Sequence, residues 1–397
     1  MDKTGGFLEP HTDFSLVQGG PLFRLLVRTH LSQPSMDLLV RRIMFAVAIT
    51  WLPLLVLSAL SGDAVGGSNL PFLYDVGAHA RFLLAVPLLL LAEVVVHKRL
   101  KVTITSFLDQ GLITQEDRPR FEAMIASAMQ LRNSVVAEIL VIVLTLVAGH
   151  FLNARYVALQ TVTWYATPVG DQFQLNPAGY WYVFVSLMLA RFLIFRWYFR
   201  IFIWWRLLWQ ISRRIKLNLN ALHPDEAGGL GILTGSAHAM MPILVAHTVA
   251  ISGALCGKIL YEGATLPQYK LEIVAWVLYL MCLVLAPMFF FAPQLAQARR
   301  TQVREYSQVA AGYVSDFRRK WIDGPAPKDQ ALLGSADIQS LGDLSTSFSV
   351  AKGMGVVPFG RTMLMQMAIV IALPFAPLLL TMISLEQLVD RALSIFV

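Results

Sequence analysis

The chain has 397 residues, 56% of them hydrophobic and only 14% charged, with 32 Lys and Arg against 25 Asp and Glu and a formal net charge of +7. A soluble domain carries roughly 25% charged residues, so with a mean hydropathy of +0.60 an ordinary soluble enzyme or binding module is excluded and a membrane protein expected. The positive balance is confined to one set of loops, which favours acidic phospholipid headgroups as partners and gives nucleic acid no support.

The pattern predicts an all-α polytopic membrane protein, because backbone polar groups in lipid must be paired internally and alternating barrel strands are absent. Residues 1–42 form an N-terminal region without a signal-peptide apolar core. Within it, residues 22–31 (LFRLLVRTHL) combine Leu22, Phe23, Leu25, Leu26 and Leu31 with Arg24 and Arg28, as suits an amphipathic interfacial helix. Spans of about 20 apolar residues are expected near residues 43–61, 79–96, 135–152, 179–205, 237–257, 272–293 and 364–385. Six of the seven lie in a transmembrane region over 43–293, which also holds a cytoplasmic helical hairpin at 97–134. The fourth is long, its apolar character running to about Ile211, so it is expected to tilt or project into water. Residues 294–361 read as a cytoplasmic helix followed by a flexible linker, and residues 362–397 as the final span and a short external tail.

In the helix after the sixth span, Val303, Tyr306, Ala310, Tyr313, Phe317 and Trp321 recur at steps of three or four, a stripe that must bury against a bundle or a subunit interface. From residue 323 onward, two prolines and a Gly-, Ser- and Asp-rich run favour turns or a mobile linker. Pro374 and Pro377 should kink the last span.

Orientation follows the cations. The loops 1–42, 97–134, 206–236 and 294–361 carry 24 Lys and Arg, and the opposite set carries 4, which places the N terminus inside and the C terminus outside. Arg81, Arg191, Arg196 and Arg200 remain within predicted helices. Glu93 and Arg191 fall at similar depth at ~1.5 Å per residue, with Glu138 nearer the inner edge, so a Glu93–Arg191 pair fastening span four to span two is expected. Arg196 and Arg200, among Trp197, Tyr198, Phe199, Trp204 and Trp205, read as an interfacial anchoring belt. His247 should hydrogen-bond across the bundle or line a cavity. Glu93, Glu138, Arg191 and His247 thus form a candidate intramembrane polar network. Gly253 and Gly257 set a GxxxG spacing suited to close helix approach. Cys256 and Cys282 read as apolar, unpaired cysteines.

The most unusual local sequence is HPDEAGGLGIL, residues 223–233. Pro224 resists helix, Asp225 and Glu226 suit a helix start, and Gly228 and Gly229 allow sharp backbone paths. His223, Asp225, Glu226, Gly228 and Gly229 are a candidate cytoplasmic binding turn. The three side chains supply metal-ligating atoms, but their spacing matches neither HExxH nor an EF-hand, and no GK[ST] follows the glycines. No metal or cofactor is therefore expected.

Enzyme chemistry has little to recommend it: GxSxG, Walker and dinucleotide motifs are missing. Membrane transport by an oligomeric ion channel is the leading expectation, with a homo-oligomer carrying an ion or small solute. A secondary transporter, a lipid-modifying membrane enzyme and a membrane receptor or scaffold are the alternatives. The order of segments, with seven spans, an inside N terminus and a cytoplasmic helical region before the last span, resembles insect odorant and gustatory receptor channels. That resemblance implies a tetrameric, ligand-gated assembly whose last span lines the pore. On it, Gln366, Pro374, Pro377, Thr381 and Ser384 are the candidate pore or gate residues. The charge asymmetry favours a bacterial inner membrane.

Overall fold

The computed structural model describes residues 14–21, 38–152, 161–169, 172–324 and 331–382. Ser384 and the expected interfacial helix at 22–31 lie outside the described residues. The principal elements are α1 (Leu39–Leu60), α2 (Val76–Asp109), α3 (Arg118–Arg132), α4 (Val135–Leu152), a hairpin of β1 (Ala166–Val169) and β2 (Gln172–Leu175), α5 (Pro177–Arg214), α6 (Ile232–Tyr261), α7 (Leu266–Trp321), α8 (Ala336–Gly353) and α9 (Arg361–Met382). Among the described residues six helices are long and apolar enough to cross a membrane, and α3 with α4, bent by 48° from one another, brings the number to seven if the pair is one span. Within the described residues the expected apolar segments fall on these helices, and residues 97–134 hold the end of α2 and α3.

Two polar caps start the central helices. Asp75 Oδ1 accepts from the Ala78 amide at 2.9 Å at the start of α2, and Asn176 Oδ1 accepts from the Gly179 amide at 2.8 Å at the start of α5. The other oxygen of Asp75 accepts from the fully buried Trp164 Nε1 at 2.9 Å, and Trp51 Nε1 donates to His79 Nδ1 at 2.9 Å. With Phe72 and Tyr182 edge-on to Trp164, these rings seal the bundle at the end opposite its basic residues. The β1–β2 hairpin adjoining them escapes sequence reading because strands of four residues are too short to establish a period of two.

Gly77 on α2 and Gly253 on α6 set the closest backbone approach between those helices. A Cβ on Gly253 would lie 2.7 Å from Ala80 Cβ, whereas one on Gly257 would meet nothing within 4 Å. Only half of the GxxxG spacing is therefore used. Both α2 and α5 contain a π-helical stretch, Ala80–Ala85 and Tyr182–Ser186, and Arg81 Nη1 donates to Tyr182 Oη at 2.7 Å between them.

At the basic end, α5 runs on to Arg214, as its apolar length predicted. Its last turns do not project into water: Leu207, Leu208 and Ile211 are completely buried. Beyond Arg214 the chain is extended, burying Ile215, Leu217, Leu219 and Ala221 and exposing Lys216, Asn218 and Asn220. Two glutamines of α7 hold this strip. Gln294 donates to the Ser212 and Ile215 carbonyls and accepts from the Leu217 amide, and Gln302 donates to the Leu219 carbonyl and accepts from the Ala221 amide. Each side-chain amide thus stands in for a neighbouring peptide group.

The aromatic stripe of α7 is half-buried, and α8 packs against that helix. Tyr313 Oη donates to the Asp337 carbonyl at 2.8 Å, while Lys320 Nζ and Trp321 Nε1 reach Asp337 Oδ2 at 2.7 and 2.9 Å. The expectation of turns or a mobile linker across this region is corrected over residues 336–353. The Ser335 hydroxyl caps α8, and the α7 stripe gives the new helix a surface to pack on.

Candidate functional site

Among the described residues a dense cluster of buried charge lies where α1, α2 and α5 meet. Glu93 on α2 is 2% exposed and receives three guanidinium groups. Arg42 from α1 binds Oε2, and Arg200 and Arg196 from α5 reach Oε1 at 2.8 and 3.5 Å. Arg200 is itself buried, its guanidinium 4.8 Å from the Trp197 ring centre, and the Trp197 indole donates to the Leu89 carbonyl at 3.0 Å. This corrects two expectations. Glu93 pairs with Arg42, Arg196 and Arg200 instead of Arg191, and Arg196 and Arg200 point into the bundle instead of forming an interfacial belt.

Arg196 and Arg200 also line a second space, a small cavity shared with Arg132, Glu138, Gly19 and Gly20. Glu93 and Glu138 are thereby brought to the same pair of arginines. The N-terminal segment covers this region, with Phe14 packing on Trp204, the Ser15 carbonyl accepting from Arg132 Nη1 and the Ser15 hydroxyl bonded to His97 Nδ1 at 2.9 Å. Arg200 Nη2 is buried without a hydrogen-bond partner among the described residues.

The other members of the expected network lie elsewhere. Arg191 shares a cavity of about 120 Å³ with Arg81, Ala85, Leu89 and Ala246 beside the π-helical stretches. His247 is buried against the Tyr198 ring, Nδ1 at 2.7 Å from the Ile243 carbonyl and Nε2 without a partner among the described residues.

The turn at His223–Gly231 is built around one carboxylate. Asp225 Oδ1 accepts from the Ala227 and Gly229 amides at 2.9 and 3.1 Å, and Oδ2 from the Gly231 amide at 2.7 Å. His223 Nδ1 lies 2.7 Å from Oδ1. Burial alone would raise the Asp225 carboxyl, but the three amides and His223 hold it below the usual carboxylate value. Gly228 and Gly229 take φ of +66° and +97°, and Glu226 takes +54°, a left-handed conformation rare outside glycine. The Glu226 carbonyl accepts from the Gly355 amide at 2.7 Å, which ties the turn to the segment between α8 and α9. The candidate binding turn thus has its central carboxylate filled by its own backbone, with the Glu226 side chain exposed.

Helix α9 buries Met363, Met367, Ile371, Phe375 and Leu378 along one face. Its opposite face exposes Gln366, Ile369, Leu373, Pro377 and Thr381. From Leu373 to Met382 the backbone tightens into a 3₁₀ helix. Ser252 on α6 donates to the Pro374 carbonyl at 2.6 Å, Gln366 Oε1 lies 3.3 Å from His238 Nε2, and the Thr381 hydroxyl donates to the Leu378 carbonyl at 2.6 Å.

No protein-family model, curated protein sequence or solved structure matches the chain. The segment-order resemblance to insect receptor channels accordingly brings no residue role to it. What its helices and composition define is an integral membrane protein of the all-α polytopic class, in contact with membrane lipid.

Proposed function

We propose that this protein is an oligomeric ion channel of a bacterial inner membrane, with its N terminus inside, its C terminus outside and α9 lining part of the pore. The reading is carried by the uncovered face of α9. Ile369 and Leu373 are 65% and 64% exposed between the exposed polar residues Gln366 and Thr381. A side-chain amide turned to lipid costs free energy that water in a pore would spare. Copies arranged about an axis would give Gln366 that water, while rings of Ile369 and Leu373 close the path by dewetting. Pro374 and Pro377 lie in the 3₁₀ stretch of the same helix, and the Ser252 bond to the Pro374 carbonyl couples it to α6.

The test is planar-bilayer recording from the purified full chain, beside Leu373→Ser, Gln366→Leu and the Pro374→Ala/Pro377→Ala double variant. Discrete currents are expected, with Leu373→Ser raising the open fraction and Gln366→Leu lowering unitary conductance. Conductance and selectivity indifferent to substitutions at Gln366, Leu373 and Thr381 would remove α9 from the pore. A secondary transporter is the second reading, favoured by the cavity between Arg81 and Arg191. It requires saturable solute uptake without unitary current.

A further inference from the structure

We propose that the cavity formed by Arg132, Arg196 and Arg200 beneath the N-terminal segment binds a phosphoryl group, supplied either by an anionic lipid headgroup or by free phosphate. This site is separate from α9, and nothing in the channel reading requires it.

Charge is the first observation. Four guanidiniums, of Arg42, Arg132, Arg196 and Arg200, stand around the two carboxylates of Glu93 and Glu138 among the described residues of this cluster. Two positive charges are left over in a region where Glu93 and Arg200 are 2% and 3% exposed. Uncompensated charge of one sign in low dielectric is unfavourable, and a phosphoryl anion would neutralise it.

An orphaned donor is the second. Arg200 lines the cavity and spends Nη1 on Glu93, yet its buried Nη2 has no hydrogen-bond partner among the described residues. A buried charged donor without an acceptor costs more than the ~1–3 kcal/mol of a neutral one. The planar guanidinium fork matches phosphate oxygens in pairs, which a lysine ammonium cannot do.

The shape of the site then selects its ligand. Gly19 and Gly20 form its wall at φ of +140° and +89°, and a Cβ on Gly19 would stand 2.5 Å from Arg132 Nη2. With the Arg132 and Asn133 side chains where they stand, bare backbone is what fits there. The space is small, about 30 Å³, and partly open to the outside, so an anionic head can enter it while the rest of a ligand stays outside. Glu138 shares the wall and opposes the anion, which supplies a control of opposite sign.

The experiment uses the full chain, purified and reconstituted in nanodiscs of neutral phosphatidylcholine. One arm titrates inorganic phosphate against sodium chloride of matched ionic strength. The other incorporates phosphatidic acid or phosphatidylglycerol without free phosphate, and both read the thermal unfolding midpoint. Binding is expected to raise the midpoint, with Arg132→Gln weakening apparent affinity roughly tenfold and Glu138→Gln strengthening it severalfold. A response to phosphate identifies the free anion as the ligand, and a response to the acidic lipids alone identifies the headgroup. Should Arg132→Gln fail to fold, Glu138→Gln still decides the matter, since a merely structural carboxylate gives no gain in anion affinity. No stabilisation in either arm by folded protein, or equal stabilisation of wild type, Arg132→Gln and Glu138→Gln, overturns the proposal.

Discussion

Glu93 and Asp225 do similar mechanical work with unlike materials. Each is a carboxylate gathering several donors, but Glu93 draws on arginine side chains 51, 103 and 107 residues away. Asp225 draws on backbone amides two to six residues away. The first fastens three helices together through charge. The second folds one turn through peptide dipoles that are present whatever the neighbouring side chains are. A centre assembled from distant charges leaves unpaired cations when it loses its carboxylate, and one assembled from local amides loses only hydrogen bonds.

The largest effect should therefore follow Glu93→Gln, which strands three guanidiniums in the bundle. Breaking a buried ion pair costs about 3–5 kcal/mol, so folded yield and the unfolding midpoint in detergent should both fall sharply. Survival of Glu93→Gln at the wild-type midpoint would show the cluster to be hydrated and the contrast misplaced. Next comes Gln294→Ala, which removes three hydrogen bonds from the extended strip beside α5. It should destabilise by about 2–3 kcal/mol and speed amide exchange at Leu217, the amide that Gln294 accepts.

Gly253→Ala should cost about 1–3 kcal/mol through overpacking against Ala80, while Gly257→Ala, facing open space, should not destabilise. Equal unfolding midpoints for that pair would mean that α2 and α6 are farther apart than described.

The smallest effect belongs to Asp225. Because its folded carboxyl titrates below the unfolded value, its stabilisation is complete above the unfolded-state pKa of about 4. It is lost as pH falls through the lower folded value. Asp225→Asn should flatten that acid limb and cost about 1 kcal/mol near neutrality. An unchanged acid limb in the variant would show that Asp225 titrates normally.

How much of this was legible in the sequence follows the same division between local and distant. The seven apolar segments were readable because apolar length is a local property, and Pro224, Asp225 and the glycines announced a turn for the same reason. The extended strip after α5 was equally local but passed unnoticed, although Ile215-Lys216-Leu217-Asn218-Leu219-Asn220-Ala221 alternates strictly. The partner of Glu93 was misjudged because depth was weighed and azimuth was not. Arg191 lies at a similar depth, yet at 3.6 residues per turn it is rotated roughly 180° around α5 from Arg200. Arg196 and Arg200, four apart, share the face that looks at α2. Arg42 could not be found at all by depth, since it stands just outside the first apolar run. Helix α8 was hidden by composition: glycine and serine argue against helix, and its support comes from the α7 stripe.

The order in which the Glu93 cluster is completed also bears on how the chain enters the membrane. Arg42 and Glu93 belong to the first two long apolar helices among the described residues, while Arg196 and Arg200 emerge from the ribosome more than a hundred residues after Glu93. Synthesised from the N terminus, α1 and α2 bring Arg42 and Glu93 together as an ion pair before α5 exists. The carboxylate need never enter lipid alone, and α5 docks later onto a partner already in place.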